Sequence, residues 1–214
     1  MKKKTYYHII LDQSGSMQDC IDPTISGFNE QIQVIRSLQQ RYPEQEIKVG
    51  LTCFNHDVNI VSFGRPVNEQ RQLSREEYQP NGQTALYDAI GETVLKIKDS
   101  LGSIAQQQQE DVAIIVVILT DGHENASKLF NLKGIGNLIR ELEAGGKWTF
   151  TYLGATLDAR EVAEALCIKR ENSMAFEKKQ MKETYGRLSK SLTNFFENKE
   201  HNRSSGSFLF DDKE

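Results

Sequence analysis

The sequence has no excess of positive charge, no long apolar run and very little cysteine. Its 214 residues carry 26 lysines and arginines against 30 acids, a net charge of −4. That balance lacks the electrostatic footprint of a nucleic-acid or membrane-surface binder. No stretch approaches the ~20 consecutive apolar residues of a membrane-spanning helix. Met1-Lys2-Lys3-Lys4 resembles the basic start of a signal peptide, but the apolar run behind it, Tyr6 to Leu11, meets Asp12 too soon to form a signal's apolar core. Cys20, Cys53 and Cys167 are far apart and odd in number. They have no zinc, redox-pair or disulfide-framework spacing, so reduced thiols in a cytoplasmic protein are expected. Two catalytic signatures are also missing. Without Gly-x-x-x-x-Gly-Lys-Ser/Thr there is no phosphate loop for an NTPase, and without Gly-x-Ser-x-Gly there is no hydrolase elbow. His56, His123 and His201 show no partnership with a nucleophile.

What is present alternates between strand and helix. Tyr6 to Leu11 reads as a buried strand. Asp22-Pro23 reads as an N-cap and first helical residue. Ile25, Phe28, Ile32, Ile35 and Leu38 then form the apolar stripe of a helix that runs to about Arg41. Ile47 to Phe54 and Val58 to Phe63 are strands separated only by Asn55-His56-Asp57, which forces an antiparallel hairpin at a sheet edge. Residues 64–83 are polar and read as a long loop. Thr84 opens a second helix with Leu86, Ile90, Val94, Ile97 and Leu101 inward, and Gln106 to Gln109 form a solvated connection. Val112 to Leu119 is an uncharged, mostly β-branched run, the pattern of a central parallel strand covered on both faces.

A helix around Leu132, Ile135, Leu138, Ile139 and Leu142 stops at Gly145-Gly146. Trp148 to Leu153 is another strand, Asp158 and Glu161 form a capping box for a short helix, and Ser173 to Phe176 is an edge strand. Met181, Tyr185, Leu188, Leu192 and Phe195 mark a last helix. The order implies an α/β domain, a three-layer doubly wound sandwich with a mostly parallel sheet and one antiparallel edge strand. The domain is expected over residues 5–198, with a polar tail over 199–214 that ends in Phe208-Leu209-Phe210 among acids.

Three short polar segments follow a strand or open a helix: Asp12-Gln13-Ser14-Gly15-Ser16, Gly82-Gln83-Thr84 and Thr120-Asp121-Gly122. If the strands before the first and third are neighbours, the loops meet at a topological switch point, where open parallel sheets bind ligands. Asp12, Ser14, Ser16, Thr84 and Asp121 then offer two carboxylates and three hydroxyls. Such hard oxygens suit Mg²⁺ or Mn²⁺ and form an incomplete octahedral shell open to water or an outside oxygen. The neighbouring residues have plainer roles. Asp88 reads as an acid in a helix's first turn, Asp19 and Asp22 as loop and cap residues, and His8 as a packed or hydrogen-bonded strand residue. Thr84 can serve as N-cap, ligand or both. His123 and Glu124 are either rim residues or solvent-facing, and are not assigned as ligands.

The run DQSGSM after the first strand, NGQTALYDAI at a helix start and ILTDGHEN after a central strand together resemble a von Willebrand factor type A domain. The resemblance covers about residues 5 to 198. It is particularly close to compact bacterial members that carry TISGFN and TDGHEN-like segments, matched at Thr24 to Asn29 and Thr120 to Asn125. It implies a Rossmann-like sheet of five parallel strands and one antiparallel edge strand. It also implies a metal-ion-dependent adhesion site with Ser14, Ser16 and Thr84 as hydroxyl ligands and Asp12 and Asp121 as direct or water-bridged carboxylates. One departure is Gln83, where many members have glycine, which narrows the approach to the ion.

Two carboxylates neutralise a divalent ion, and neutral hydroxyls leave it electrophilic toward one more anionic oxygen. The expected function is therefore non-enzymatic: a metal-dependent adaptor whose ion coordinates an Asp or Glu of a partner protein. Two other readings remain open, a scaffold in which the ion only braces the loops and a Mg²⁺-dependent hydrolase or phosphotransferase. The third is disfavoured because serines stand where a phosphoaspartyl enzyme would place a second acid. Partner identity and oligomeric state are not encoded in these patterns.

Overall fold

The computed structural model describes residues 2–102, 110–156 and 158–201. The expected glutamine-run connection and all of the expected tail beyond residue 201 lie outside the described residues. Within them the strands are β1 (Lys2–Asp12), β2 (Gln45–Phe54), β3 (Val58–Pro66), β4 (Glu110–Thr120), β5 (Trp148–Gly154) and β6 (Ser173–Ala175). The α-helices are α1 (Ile21–Arg41), α2 (Leu86–Gly102), α3 (Leu132–Ala144), α4 (Ala159–Ala165) and α5 (Met181–Glu200).

The strands form one sheet in the order β3-β2-β1-β4-β5-β6. All neighbours are parallel except β3, which pairs antiparallel with β2 at the edge. This is the expected Rossmann-like α/β architecture, with its antiparallel strand where the short link after Phe54 requires one. β1 and β4 lie side by side, Leu11 opposite Leu119, so their C-terminal loops leave the sheet next to each other. The chain winds outward from β1 toward both edges, which makes the β1–β4 boundary the switch point.

Side-chain alternation divides the core into two layers. Tyr7, Ile9, Leu11, Ile115, Val117 and Leu119 pack on one face with the stripes of α1 and α5. Tyr6, Ile10, Ile114, Val116 and Ile118 pack on the other with α2, α3 and α4. At Gly27 the helices α1 and α5 touch so closely that an added Cβ would fall 2.0 Å from the Tyr185 ring. His8 is buried, with Nε2 2.9 Å from Thr52 Oγ1. Burial, then the Lys96 charge, pushes its imidazole down to about 3, so it is a neutral packed residue as expected.

Three local expectations change. Helix α1 begins at Ile21, one residue before Asp22, because a 3-10 turn over Gly15–Cys20 feeds directly into it. Asp22 is therefore a first-turn acid, paired with Arg75 Nε at 2.8 Å, and not a cap. Asp158 does precede α4, but with ψ near 17° its backbone lacks the extended conformation of a capping residue, and its side chain makes no cap bond. The loop expected over 64–83 is partly ordered, since β3 continues to Pro66 and a 3-10 turn covers Val67–Glu69. No helix among the described residues is long and apolar enough to cross a membrane.

Candidate metal centre

At the end of β1, Asp12 Oδ1 accepts the Ser14 N–H at 2.7 Å. This is an Asx-type turn that reverses the chain immediately after the buried strand. Ser14 Oγ lies 3.1 Å from Ser16 Oγ, and Ser16 Oγ donates to Asp121 Oδ1 at 2.6 Å. Thr120, the last residue of β4, donates its hydroxyl to Asp12 Oδ2 at 2.5 Å. The adjacent strand ends are thus joined by side chains from both polar loops.

Thr84 arrives from the loop behind the hairpin. Gly15 N–H donates to Gly82 O at 3.1 Å and Asn81 N–H to Gln13 O at 2.9 Å, which ties the first loop to the second. Gly82 holds φ near +72°, and His56 lies where a Cβ would project, 2.3 Å from it. Thr84 N–H donates to Asn125 Oδ1 at 2.9 Å, and Thr84 O accepts the Asn125 and Ala126 N–H groups, tying the second loop to the third. The Thr84 side chain is not the cap of α2. Glu124 performs that role by accepting the Tyr87 N–H at 3.0 Å, and Ser127 Oγ accepts the Asp88 N–H. The Thr84 hydroxyl makes no hydrogen bond to any described residue.

The geometry around Gly122 brings the candidate oxygens together. A Cβ added there would lie 3.0 Å from Thr84 Oγ1, 3.5 Å from Ser16 Oγ and 3.7 Å from Asp12 Oδ2. Ser16 links that group to Asp121 and Ser14, so all five sequence-derived candidates meet at the C-terminal ends of β1 and β4. Among the described residues no group of three or more His, Cys, Asp or Glu side chains is arranged to hold a metal. An ion here would therefore take much of its shell from hydroxyls, a donor set that suits a hard cation.

Burial pushes the Asp12 carboxyl above the usual carboxylate range; hydrogen bonds from Thr120 and Ser14 pull it back, and the Asp121 charge pushes it up again. Asp121 is buried, and its Oδ2 accepts no aligned hydrogen bond. Lys178 Nζ lies 2.5 Å from that oxygen as an ion pair.

The surrounding residues behave more plainly. Asp88 accepts the N–H groups of Lys128, Leu129 and Phe130, so it fastens the segment after Asp121 to α2 in addition to sitting in the first turn. Glu124 turns inward to Tyr87, Ala126 and Ser127, whereas His123 is exposed, 3.7 Å from Asp158 Oδ2. Asp19 is exposed on the rim beside Lys178, and Gln83 is exposed.

Three contributors were not singled out from sequence. Asn125 clamps Thr84, Tyr78 OH donates to Asp12 O at 2.6 Å, and Lys178 reaches Asp121. Asn125 lies in the TDGHEN segment, so a local signal existed for it. Tyr78 sits in a stretch that reads as solvated loop, and Lys178 is 162 residues from Ser16, whose carbonyl it also binds.

A sequence profile of the von Willebrand factor type A domain matches residues 8–202. No curated protein matches the chain. Solved structures share the fold at low identity. Proximal thread matrix protein 1 from the mussel byssus superposes with a TM-score of 0.60 at 13% identity, covering 87% of this chain and 45% of its own. A von Willebrand factor type A protein from Catenulispora acidiphila gives 0.57 at 16%, covering 87% and 42%. The PilB minor pilin from Streptococcus sanguinis gives 0.60 at 13%, covering 90% and 62%. The chain thus spans less than two thirds of each of these proteins.

Proposed function

The chain belongs to the von Willebrand factor type A domain family, and from that premise we propose that it is a metal-dependent protein-binding module. Members of the family are generally interaction or adhesion modules, mostly not enzymes, and commonly bind a divalent metal at this position. In our reading Ser14, Ser16 and Thr84 hold Mg²⁺ or Mn²⁺ through hydroxyls, with Asp12 and Asp121 as direct or water-bridged carboxylates. The bound ion supplies a Lewis-acidic position for an Asp or Glu side chain of a partner protein.

The observation that carries this reading is the meeting of Thr84 Oγ1, Ser16 Oγ and Asp12 Oδ2 around Gly122, beside the buried Asp121 carboxylate. Two buried carboxylates in one site repel each other, and a cation relieves that repulsion. Serines where phosphoryl transfer would want a second acid support a non-catalytic role. The three free thiols support a reducing, cytoplasmic setting.

The test is capture of partner protein by wild type and by Asp121→Ala, each in Mg²⁺ and in EDTA. We expect capture from wild type in Mg²⁺ alone. Capture indifferent to both ion and mutation would overturn the reading in favour of a scaffold role, and Mg²⁺-dependent phosphate-ester hydrolysis that needs Asp12 would replace it with catalysis.

A further inference from the structure

Lys178 opens a 3-10 turn over Lys178–Gln180, between β6 and α5, and extends over the mouth of the candidate metal centre. Its ammonium donates to Ser16 O at 2.6 Å and to Asp19 Oδ1 at 3.0 Å, and lies 2.5 Å from Asp121 Oδ2. The Lys178 side chain is 28% exposed, whereas that of Asp121 is fully buried. A cationic group from a distant segment thus rests on one proposed ligand carboxylate and on the backbone carbonyl of a proposed hydroxyl ligand.

We propose that Lys178 is a tethered cation that competes with the metal ion, so that the ion binds only when the ammonium leaves Asp121. This rests on the ion-binding reading above and adds a regulatory residue to that site.

The physical basis is simple. A divalent ion such as Mg²⁺ sits about 2.1 Å from its oxygens, and an ammonium on the same carboxylate oxygen would be pressed against it with like charge. Lys178 has somewhere to go, because Asp19 is a rim carboxylate with a side chain 70% exposed that already holds one of its hydrogen bonds. In the ion-free protein the ammonium offsets the charge of Asp121 and ties the first loop to the third. On ion binding that contact is exchanged for a metal–oxygen bond. The latch therefore stabilises the ion-free fold and raises the ion concentration needed to occupy the site.

A competitor that closes the site about nine-tenths of the time weakens apparent affinity about tenfold. Calorimetric titration of Mg²⁺ or Mn²⁺ into the full chain, with thermal unfolding in EDTA and at saturating ion, tests this. Lys178→Met is expected to bind the ion about tenfold more tightly than wild type. It should also melt lower in EDTA and regain the wild-type melting temperature at saturating ion. Should Lys178→Met fail to fold, Lys178→Gln, which keeps a hydrogen-bond donor without the charge, carries the same expectation. Asp121→Ala is the control that removes the site.

Equal ion affinity in wild type and the Lys178 variants, with binding lost in Asp121→Ala, would overturn the latch and leave the metal site standing. Absence of ion binding in wild type and Lys178 variants alike would overturn the metal reading and the latch with it.

Discussion

At the N-terminal end of the central strands the Lys199 ammonium is buried chiefly among neutral oxygens, with the Asp111 carboxylate 3.9 Å away, while at the C-terminal end Lys178 lies partly exposed in direct contact with carboxylates. Lys199 Nζ donates to Lys4 O at 2.8 Å, and Thr5 Oγ1 and Asp111 O are each 3.4 Å away, so the last turn of α5 is fastened across the starts of β1 and β4. Lys3 Nζ in turn donates to the carbonyls of Lys199 and Glu200 at the end of α5, at 2.7 and 3.0 Å. The acceptors at this end are mostly fixed backbone carbonyls that gain nothing from an added ion. At the other end, Asp121 leaves negative charge that a lysine from outside the three loops covers. The same side-chain chemistry thus makes a permanent clasp at one end and a replaceable contact at the other.

The largest expected effect comes from breaking the clasp. Lys199→Met leaves the Lys4 and Asp111 carbonyls without their buried donor and should cost about 3 kcal/mol in urea unfolding at neutral pH. That loss should be the same in Mg²⁺ and in EDTA; a cost that shrinks with ion would erase the distinction between the two ends. A pH signature accompanies it. Burial pulls the Lys199 ammonium down to about 8, the Asp111 charge opposes that, and Lys3 adds to it. The unfolded chain holds the lysine proton up to about 10.4, so between 8 and that value the folded state binds fewer protons. Wild-type stability should therefore rise with pH through this window, by at most about 1.4 kcal/mol per unit from this group. In Lys199→Met that contribution should vanish.

The next effect belongs to the opposite end. Asp12→Asn removes a buried charge next to Asp121 while keeping oxygen and nitrogen groups for Thr120 and Ser14. In EDTA its stability should stay within about 1 kcal/mol of wild type. With Mg²⁺ at a hundredfold its dissociation constant, wild type should gain about 2.7 kcal/mol and Asp12→Asn almost none. A carboxylate needed for the fold itself would instead show its loss in EDTA.

The difference between the ends also marks what could be read from sequence. Period-two and period-3.6 patterns revealed the strands and helices, because both faces of β1 and β4 are apolar and each helix keeps one buried stripe. The five candidate ligands were legible because each sits on a short polar break directly after a strand or before a helix. The two lysines were not. Lys178 carries no sequence signal and Lys199 falls at the start of the expected tail, whereas the structure places it in the last turn of α5; only tertiary packing carries both to partners far along the chain. Glu124 and Asp88 were legible as polar, but their backbone partners depend on how residues 124–130 fold across the start of α2.

The stretch over 64–83 was the least legible, because polar side chains of α1 bind its backbone groups. Asn29 on α1 accepts the Leu73 N–H at 2.8 Å and donates to Leu73 O at 3.0 Å. Arg36 Nη2 donates to Gln70 O at 2.6 Å. The segment is thereby strapped to α1 and delivers Tyr78, buried, beneath the end of β1. Its hydroxyl donates to Asp12 O while Thr120 donates to Asp12 Oδ2, so two separate segments hold the carbonyl and a side-chain oxygen of one residue. Tyr78→Phe removes that single bond with little change of shape and should cost about 1 kcal/mol in urea unfolding. A purely structural strap would lower stability and leave Mg²⁺ affinity unchanged. If Tyr78 also sets the position of Asp12, calorimetry should show ion affinity falling a few-fold, less than the loss in Asp12→Asn because both carboxylates remain. An affinity loss as complete as that of Asp12→Asn would place Tyr78 within the site and not beneath it.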